Sequence, residues 1–161
     1  MVKNKSFGLA LAKQLNKIVL LSFLLTGCAQ APMNSVEAAR AWDNRYEECS
    51  EIAEGNKRDF PTTPWFDSLT FEDKRSVIGY IYNYNQDICS SQAINDLKVA
   101  VQRDGNEKIA FEYREVLTPL DDLSSERMKG IDMDEVKNIQ VIYSEPFSVR
   151  HVLTTLDLHT K

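Results

Sequence analysis

The ten residues from Ser76 to Asn85, SVIGYIYNYN, decide the fold class, because their pattern is compatible with either a helix or a strand. In a helix, one apolar stripe would face an ordinary core, and it would consist of Val77, Ile81, Tyr84 and Ile88. In a strand, one face would be an apolar wall with hydroxyl tips, formed by Ile78, Tyr80, Tyr82 and Tyr84. The sequence on either side of this stretch helps to decide between the two.

Two segments farther along the chain alternate apolar and polar residues with the period of two that indicates strands. They are Leu97-x-Val99-x-Val101 and Ile109-x-Phe111-x-Tyr113. Asp104-Gly105 lies between them, and this dipeptide readily supplies the positive φ that a tight turn needs. The pattern predicts a hairpin, which is only marginally stable by itself and needs more strands beside it or a helix over it.

The need for further strands favours an extended conformation for residues 76–85, which are rich in β-branched and aromatic side chains. Gly79 would suit a strongly bent strand, since it has no Cβ. Thr70-x-x-Asp73 points the other way, because it resembles a capping box and favours a helix directly after it. We therefore predict a short helical turn through Lys74, followed by a strand.

Apolar residues at helical spacing begin at Ser35 and stop at Gly55, and a second such segment follows Asp132 as its cap. The last segment, Ser148 to Leu156, is rich in β-branched residues and predicts a closing strand. The predicted fold class is therefore α+β. It combines an antiparallel, strongly curved sheet with an N-terminal helix and a second helix before the last strand.

Residues 1–27 have the pattern of an export signal, with four lysines ahead of an apolar run that is too short to span a bilayer. The run ends in Leu25-Thr26-Gly27-Cys28, which resembles a bacterial lipobox and predicts lipidation of Cys28. An uncleaved anchor is the alternative. We expect residues 28–34 to be a tether and residues 35–161 to be a single periplasmic domain, held at the membrane by the N-terminus.

Removal of the signal takes away four lysines and no acids, so the formal charge changes from −5 to −9. Such an acidic chain lacks the basic surface that nucleic acids require, and we expect no direct contact with nucleic acid. Cys49 and Cys89 remain, and an oxidising compartment favours a disulfide between them. Closing a loop of about 40 residues would stabilise the fold by roughly 3–4 kcal/mol. Two buried free thiols are the alternative.

No arrangement of reactive groups in the sequence indicates catalysis. The two histidines, His151 and His159, are not part of a cluster with the spacing of metal ligands. Clustered acids such as Asp121-Asp122 are typical of a solvated surface. We therefore expect a protein that is not an enzyme and has no metal or cofactor. Its aromatic residues form either its own core or a surface for an amphipathic ligand.

The stretch Leu117–Ser125, LTPLDDLSS, with a predicted hairpin before it and Asp132-Met133-Asp134-Glu135 after it, resembles the ToxS-type periplasmic partners of membrane-bound transcription factors. The similarity covers residues 93–155. It implies a lipocalin-like β-barrel that is completed by a VtrA-like inner-membrane transcription factor, with a bile salt bound in a hydrophobic chamber. Ala29 departs from this expectation, because an Asp after Cys28 would be typical of an inner-membrane lipoprotein.

The resemblance identifies no individual binding residue, so the expected chamber is assigned from the apolar faces of the predicted strands. These faces consist of Ile78, Tyr80, Tyr82, Tyr84, Val99, Val101, Ile109, Phe111 and Tyr113. About four or five strands are too few for a barrel that holds a small ligand, which typically has about eight, so a second chain has to complete it. Candidate cations for the anionic head of a bile salt are Arg75, Lys98, Arg103 and Arg114.

The leading functional hypothesis from the sequence is a periplasmic sensor subunit in an obligate heterodimer. A bile salt would shift the heterodimer toward the state in which the transcription factor induces type III secretion virulence genes. The alternative is an outer-membrane lipoprotein that acts as a pilotin-like assembly factor or chaperone and binds a peptide by strand addition or in a groove. A hydrolase of the envelope is a third interpretation.

Overall fold

Every regular element in residues 32–159, the part of the chain that the structure describes, is helical in this computed structural model. The helices are α1 (Ser35–Gly55), α2 (Pro64–Ser68), α3 (Phe71–Asp104), α4 (Glu107–Glu112), α5 (Arg114–Leu117), α6 (Leu120–Ser124), α7 (Met133–Ile142) and α8 (Val149–Thr155). The α+β prediction is therefore wrong, since these residues form no strand, sheet or barrel. None of the described helices is both long enough and apolar enough to cross a membrane.

Helix α1 is present where the sequence predicts a helix, and its cap is Asn34. The Asn34 side chain accepts hydrogen bonds from the backbone N–H groups of Val36 at 3.1 Å and Glu37 at 3.0 Å. In return, the Glu37 carboxylate accepts a hydrogen bond from the Asn34 N–H at 3.0 Å. This capping box satisfies donors that the first turn of a helix leaves without partners.

Residues 76–85 lie inside α3, a single helix of 34 residues. Thr70 caps it by accepting a hydrogen bond from the Asp73 N–H at 3.1 Å, so the capping-box pattern correctly indicated a helix start. The predicted change to a strand after Lys74 is wrong, because the helix continues without interruption. Val77 and Ile81 are completely buried, as the helical stripe requires.

The predicted hairpin is also wrong. Gly105 does adopt a positive φ, of 60°, but it is the C-terminal cap of α3, and its N–H donates to the Val101 carbonyl at 3.0 Å. Helices commonly end at a residue in the left-handed region, so positive φ fits a helix end as well as a hairpin turn. Burial of the side chains follows helical spacing and not a period of two, since Leu97 and Ala100 are buried whereas Val99 is 53% exposed.

The predicted closing strand is helix α8. Ser148 caps this helix by accepting a hydrogen bond from the His151 N–H at 3.3 Å, and Val152 is buried. A β-branched residue costs a helix less than about 1 kcal/mol, and burial of the valine side chain contributes more than that. The helix predicted after Asp132 is present as α7, and the Asp132 carboxylate accepts a hydrogen bond from the Asp134 N–H at 3.0 Å.

The two long helices, α1 and α3, are antiparallel. The Ser35 N–H at the start of α1 donates to the Asp104 carboxylate at the end of α3, at 2.6 Å. Farther along the pair, the predicted disulfide joins Cys49 to Cys89, which are 40 residues apart in sequence. Because α3 has 34 residues and α1 has 21, the first part of α3 extends beyond α1 and packs against other elements.

Buried apolar side chains form two clusters along α3. The larger surrounds its first part and contains Phe60, Phe66, Val77, Ile78, Tyr80, Ile81, Met128, Val136, Ile139, Tyr143, Phe147, Val152 and Leu158. The smaller joins the end of α3 to α1 and α4 and contains Ala38, Ala39, Leu97, Ala100 and Ile109. The middle of α3 connects the two clusters.

Candidate functional site: a groove along helix α3

The nine residues predicted to line a chamber are divided between the two clusters and the surface. Ile78 and Tyr80 belong to the larger cluster and Ile109 to the smaller one, whereas Val99 and Phe111 are exposed. Those that are partly buried are Tyr82, Tyr84, Val101 and Tyr113. The strands that would have brought all nine around one ligand are absent from residues 32–159.

A groove of about 470 Å³ runs along one side of α3. Its floor is a row of helix positions that are four and three residues apart in turn: Tyr80, Tyr84, Asp87, Ser91, Ile94 and Lys98. Ile88 borders this row. Because residues at these spacings share one face of a helix, the floor is a continuous surface of α3.

The middle of α3 buries polar side chains and exposes an apolar one at the groove. Asn85, Gln86 and Ser90 are at most 3% exposed, whereas Ile88 is 53% exposed. The Asn85 amide is tied to the rest of the fold, since its Nδ2 donates to the Tyr143 carbonyl at 2.8 Å. Ile88 therefore places an exposed apolar side chain in the groove, beside the half-buried Tyr84.

The opposite wall of the groove is the segment from Val116 to Asp121, which connects α5 to α6. Pro119 cannot donate a backbone hydrogen bond, so α5 ends just before it. At one end of the groove, the Tyr80 hydroxyl donates to Asp121 Oδ1 at 2.6 Å and fixes this wall to α3. Floor and wall are thus joined by a defined contact.

The groove has a net negative charge at neutral pH, since Asp87 and Asp121 line it together with Lys98. Asp87 is exposed, yet partial desolvation raises the pKa of its carboxyl above the ordinary value. Desolvation, and then the hydrogen bond to Asp121, raise the pKa of the Tyr80 phenol. The phenol therefore keeps its proton and remains a hydrogen-bond donor at neutral pH.

Of the four cations predicted to meet an anionic head group, Lys98 lines the groove. Arg75 and Arg103 donate to backbone carbonyls of distant residues, at 3.1 and 2.6 Å, whereas Arg114 donates to the carbonyl of nearby Phe111 at 3.3 Å. From the predicted ligand-binding residues, Tyr80 and Tyr84 line the same groove. The predicted ligand-binding residues did not include Ile88, which also lines the groove, although the helical interpretation of the opening stretch placed it on one stripe with Tyr84.

In the part of the chain covered by residues 32–159, no three His, Cys, Asp or Glu side chains are arranged to hold a metal ion. His151 is on α8, and the His159 ring lies 2.9 Å from the Thr154 hydroxyl. Neither histidine lines the groove. That the protein is not an enzyme stays a prediction.

Cys28 and the predicted export signal lie outside the described residues, so lipidation and membrane attachment stay predictions. No protein-family model matches the chain, and no curated protein or solved structure is significantly similar to it. The resemblance to ToxS-type proteins therefore stays a prediction as well. The barrel that it implied is contradicted by the helices of residues 32–159.

Proposed function

We propose that the chain is an exported adaptor, tethered to the membrane by its N-terminus, that binds a segment of a partner protein in the α3 groove. This is the role of a pilotin-like assembly factor or chaperone. The observation that carries the proposal is the exposed Ile88 beside the half-buried Tyr84 in the groove, on the helix that both core clusters share.

The shape of the groove supports insertion of a peptide and argues against strand addition. Strand addition requires an open sheet edge, and residues 32–159 contain no strand. The Tyr80–Asp121 hydrogen bond fixes the wall to α3, so the groove should lose little conformational freedom when a ligand enters. Both features favour a partner segment that lies along α3.

Bile salts are the second candidate ligand, because Lys98 lies at one end of a floor that also carries Tyr84, Ile88 and Ile94. A sensor subunit of this kind would use the open groove and signal to a membrane-bound transcription factor. However, Asp87 and Asp121 oppose an anionic ligand in the same groove, and the negative charge of the whole chain opposes it too. We therefore place a peptide segment first.

Site-specific photocrosslinking in cells of the native host tests the adaptor. A photoreactive amino acid at Ser91, on the groove floor, is expected to give a discrete adduct that the second substitution Ile88→Asp removes. The same photoreactive group at Val99 is the matched control. Val99 is on the same helix, is 53% exposed like Ile88, and lies outside the groove. No adduct from Ser91, or an equal one from Val99, would contradict the proposal.

Thermal unfolding of the full chain with glycodeoxycholate separates the two candidates, because a ligand that binds the native state raises the midpoint. A rise that both Lys98→Glu and Ile88→Asp abolish would favour the sensor. An unchanged midpoint, together with an adduct from Ser91, would favour the adaptor.

A further inference from the structure

The two sulfurs of the Cys49–Cys89 disulfide differ in their access to solvent. Cys49 is completely buried, whereas Cys89 is half-buried. Cys89 also lines a hollow of about 210 Å³ that opens between α1 and α3, and Cys49 does not. A thiol or a disulfide in solution can therefore reach the bond from the side of Cys89.

Arg45 holds a positive charge beside the accessible sulfur. Its Nη2 lies 3.6 Å from Cys89 Sγ, and its Nε donates to the Cys89 carbonyl at 3.1 Å. The remaining nitrogen, Nη1, donates to the Glu48 carboxylate at 2.8 Å. Because the guanidinium is a planar and rigid fork, the contacts of Nε and Nη1 orient Nη2 toward the sulfur.

The acidic groups near Cys89 offset this charge only in part. Glu48 contacts the far side of the guanidinium, and its side chain is 62% exposed, so water screens it. Asp96 of α3 also lines the hollow, but it lies about two helical turns from Cys89, or roughly 10 Å along the axis. The guanidinium is the charge in contact with the sulfur, and it favours the thiolate of Cys89 when the disulfide is open.

Burial of Cys49 makes the two directions of thiol–disulfide exchange unequal. In reduction, an external thiolate attacks Cys89, and Cys49 has to leave as a thiolate inside the fold, where desolvation disfavours its charge. In oxidation, Cys89 reacts first as the accessible thiolate. Cys49 has to lose its proton only in the second step, when its partner sulfur is already bonded to the oxidant.

We propose that Cys89 is the exchange site of this disulfide, at which a dithiol oxidant, meaning a protein with a disulfide between two of its own cysteines, forms a mixed disulfide. The Cys89 thiolate attacks one sulfur of the oxidant, and the other sulfur of the oxidant leaves as a thiolate. Cys49 then loses its proton to solvent and attacks Cys89 Sγ, which releases the oxidant as a dithiol. The cysteine pair thereby gives two electrons to the oxidant.

Arg45 is a positioning residue in this scheme, because it acts through the Cys89 thiolate and does not itself react. A lower proton affinity of the thiol raises the thiolate fraction at neutral pH more than it lowers the intrinsic nucleophilicity. The inference goes beyond the adaptor function and does not depend on the α3 groove.

Variants with a single thiol locate the exchange site. Cys49→Ala and Cys89→Ala are each combined with Cys28→Ser in the full chain, which has three cysteines. The probe is hydroxyethyl disulfide, which is neutral and is not attracted by nearby charges. Mass spectrometry over time should show the mixed disulfide forming at least about tenfold faster when Cys89 is retained than when Cys49 is retained. Equal rates, or faster reaction of Cys49, would overturn the proposal.

Denaturant provides the control for the role of the fold, because unfolding exposes both thiols. The two rates should then become similar. A preference for Cys89 that persists in denaturant would contradict the proposal, since the cause would be the local sequence. Circular dichroism verifies that both variants keep their helices in buffer.

The oxidised full chain without any cysteine substitution gives a second measurement, which does not depend on the folding of a variant. β-Mercaptoethanol is added briefly and the reaction is quenched in acid. Trypsin separates the two cysteines, because Lys57 and Arg58 lie between them. We expect the mixed disulfide on the Cys89 peptide, because the thiolate bonds to Cys89 Sγ while Cys49 takes the electron pair of the broken bond and then a proton. A mixed disulfide on Cys49 would overturn the proposal.

Two substitutions of Arg45 test the positioning role in the variant that retains Cys89. Arg45→Gln should slow its reaction with hydroxyethyl disulfide by about threefold, because the positive charge is lost and the thiolate fraction falls. Arg45→Lys keeps the charge and should restore most of the rate. An unchanged rate in Arg45→Gln, or equal losses in both variants, would contradict the role of the charge.

Discussion

The Tyr80 hydroxyl donates a hydrogen bond to the Asp121 carboxylate at 2.6 Å, and this contact joins the floor of the groove to its wall. The Tyr80 ring is buried in the larger cluster, while Asp121 lies in the exposed turn that begins α6. A charged acceptor strengthens the hydrogen bond, and exposure of the carboxylate to water weakens it. The contact therefore contributes modest stability and fixes the wall of the groove to α3.

Tyr80→Phe should lower the free energy of unfolding by about 1 kcal/mol, because it removes the hydroxyl and keeps the buried ring. Chemical denaturation of the wild type, Tyr80→Phe, Asp121→Ala and the double variant gives the coupling energy directly. We expect about 1 kcal/mol of coupling. Strict additivity of the two single changes would show that the hydrogen bond does not form in solution.

Gly79→Ala should stabilise the protein by about 0.5–1 kcal/mol, because alanine has the higher helix propensity. Gly79 lies inside α3, and a Cβ placed on it meets no atom within 4 Å. The free energy of unfolding from denaturant titration measures the change. A loss of stability would instead support the bent strand that the sequence favoured at this glycine.

Gly105→Ala is the matched control and should have the opposite sign. A Cβ at Gly105 also meets no atom within 4 Å, so space does not distinguish the two glycines. Gly105 has a φ of 60°, and the left-handed region costs a residue with a side chain about 1–2 kcal/mol. Equal effects of the two substitutions would contradict the cap at the end of α3.

The main error of the sequence interpretation concerned Asp104-Gly105. The requirement for positive φ was correct, but a hairpin turn and a helix C-cap meet it equally well. Choosing the hairpin then favoured strands for residues 76–85, although Thr70 and Asp73 already indicated a helix start. Local patterns identified the ends of α1 and the start of α7 because caps depend on neighbouring residues. The length of α3 depends on packing along its whole course.

The candidate site was predictable only in fragments. Tyr80, Tyr84 and Lys98 were named from the sequence, two as wall residues of a barrel and one as a cation. The wall at residues 116–121 was not predictable, because its position depends on how the chain returns along α3 after α4 and α5. Nor does sequence spacing show that the stripe ending in Ile88 is buried at one end and exposed at the other.

Reduction of the Cys49–Cys89 disulfide should lower the free energy of unfolding by roughly 3–4 kcal/mol, since the bond closes a loop of about 40 residues. Most of the helix content should remain after reduction, because α1 and α3 also pack together in the smaller cluster. Thermal unfolding with and without reductant measures the loss. A double variant, Cys49→Ala with Cys89→Ala, should unfold at the same temperature in both conditions. Any response to reductant in that variant would point to another cause.

Two carboxylates should affect stability with opposite dependence on pH. Hydrogen bonds from Arg103 and from the Ser35 backbone hold the pKa of Asp104 below its ordinary value. Its ionised form therefore stabilises the fold above the ordinary pKa of 3.8, and the contribution is lost as the pH falls through the lower, folded-state pKa. Asp104→Asn should thus be less stable than the wild type at neutral pH, and the difference should shrink in acid.

Asp87 should behave in the opposite way, because desolvation raises the pKa of its carboxyl above 3.8. Its protonated form is favoured in the folded state, so its contribution is fully present below 3.8 and is lost as the pH rises through the raised pKa. The free energy of unfolding of Asp87→Asn should therefore increase relative to that of the wild type as the pH rises. At neutral pH the variant should be more stable than the wild type. Denaturant titrations from about pH 3 to pH 7 measure the difference. A variant that is less stable at neutral pH would place the carboxylate in a favourable contact within the chain itself.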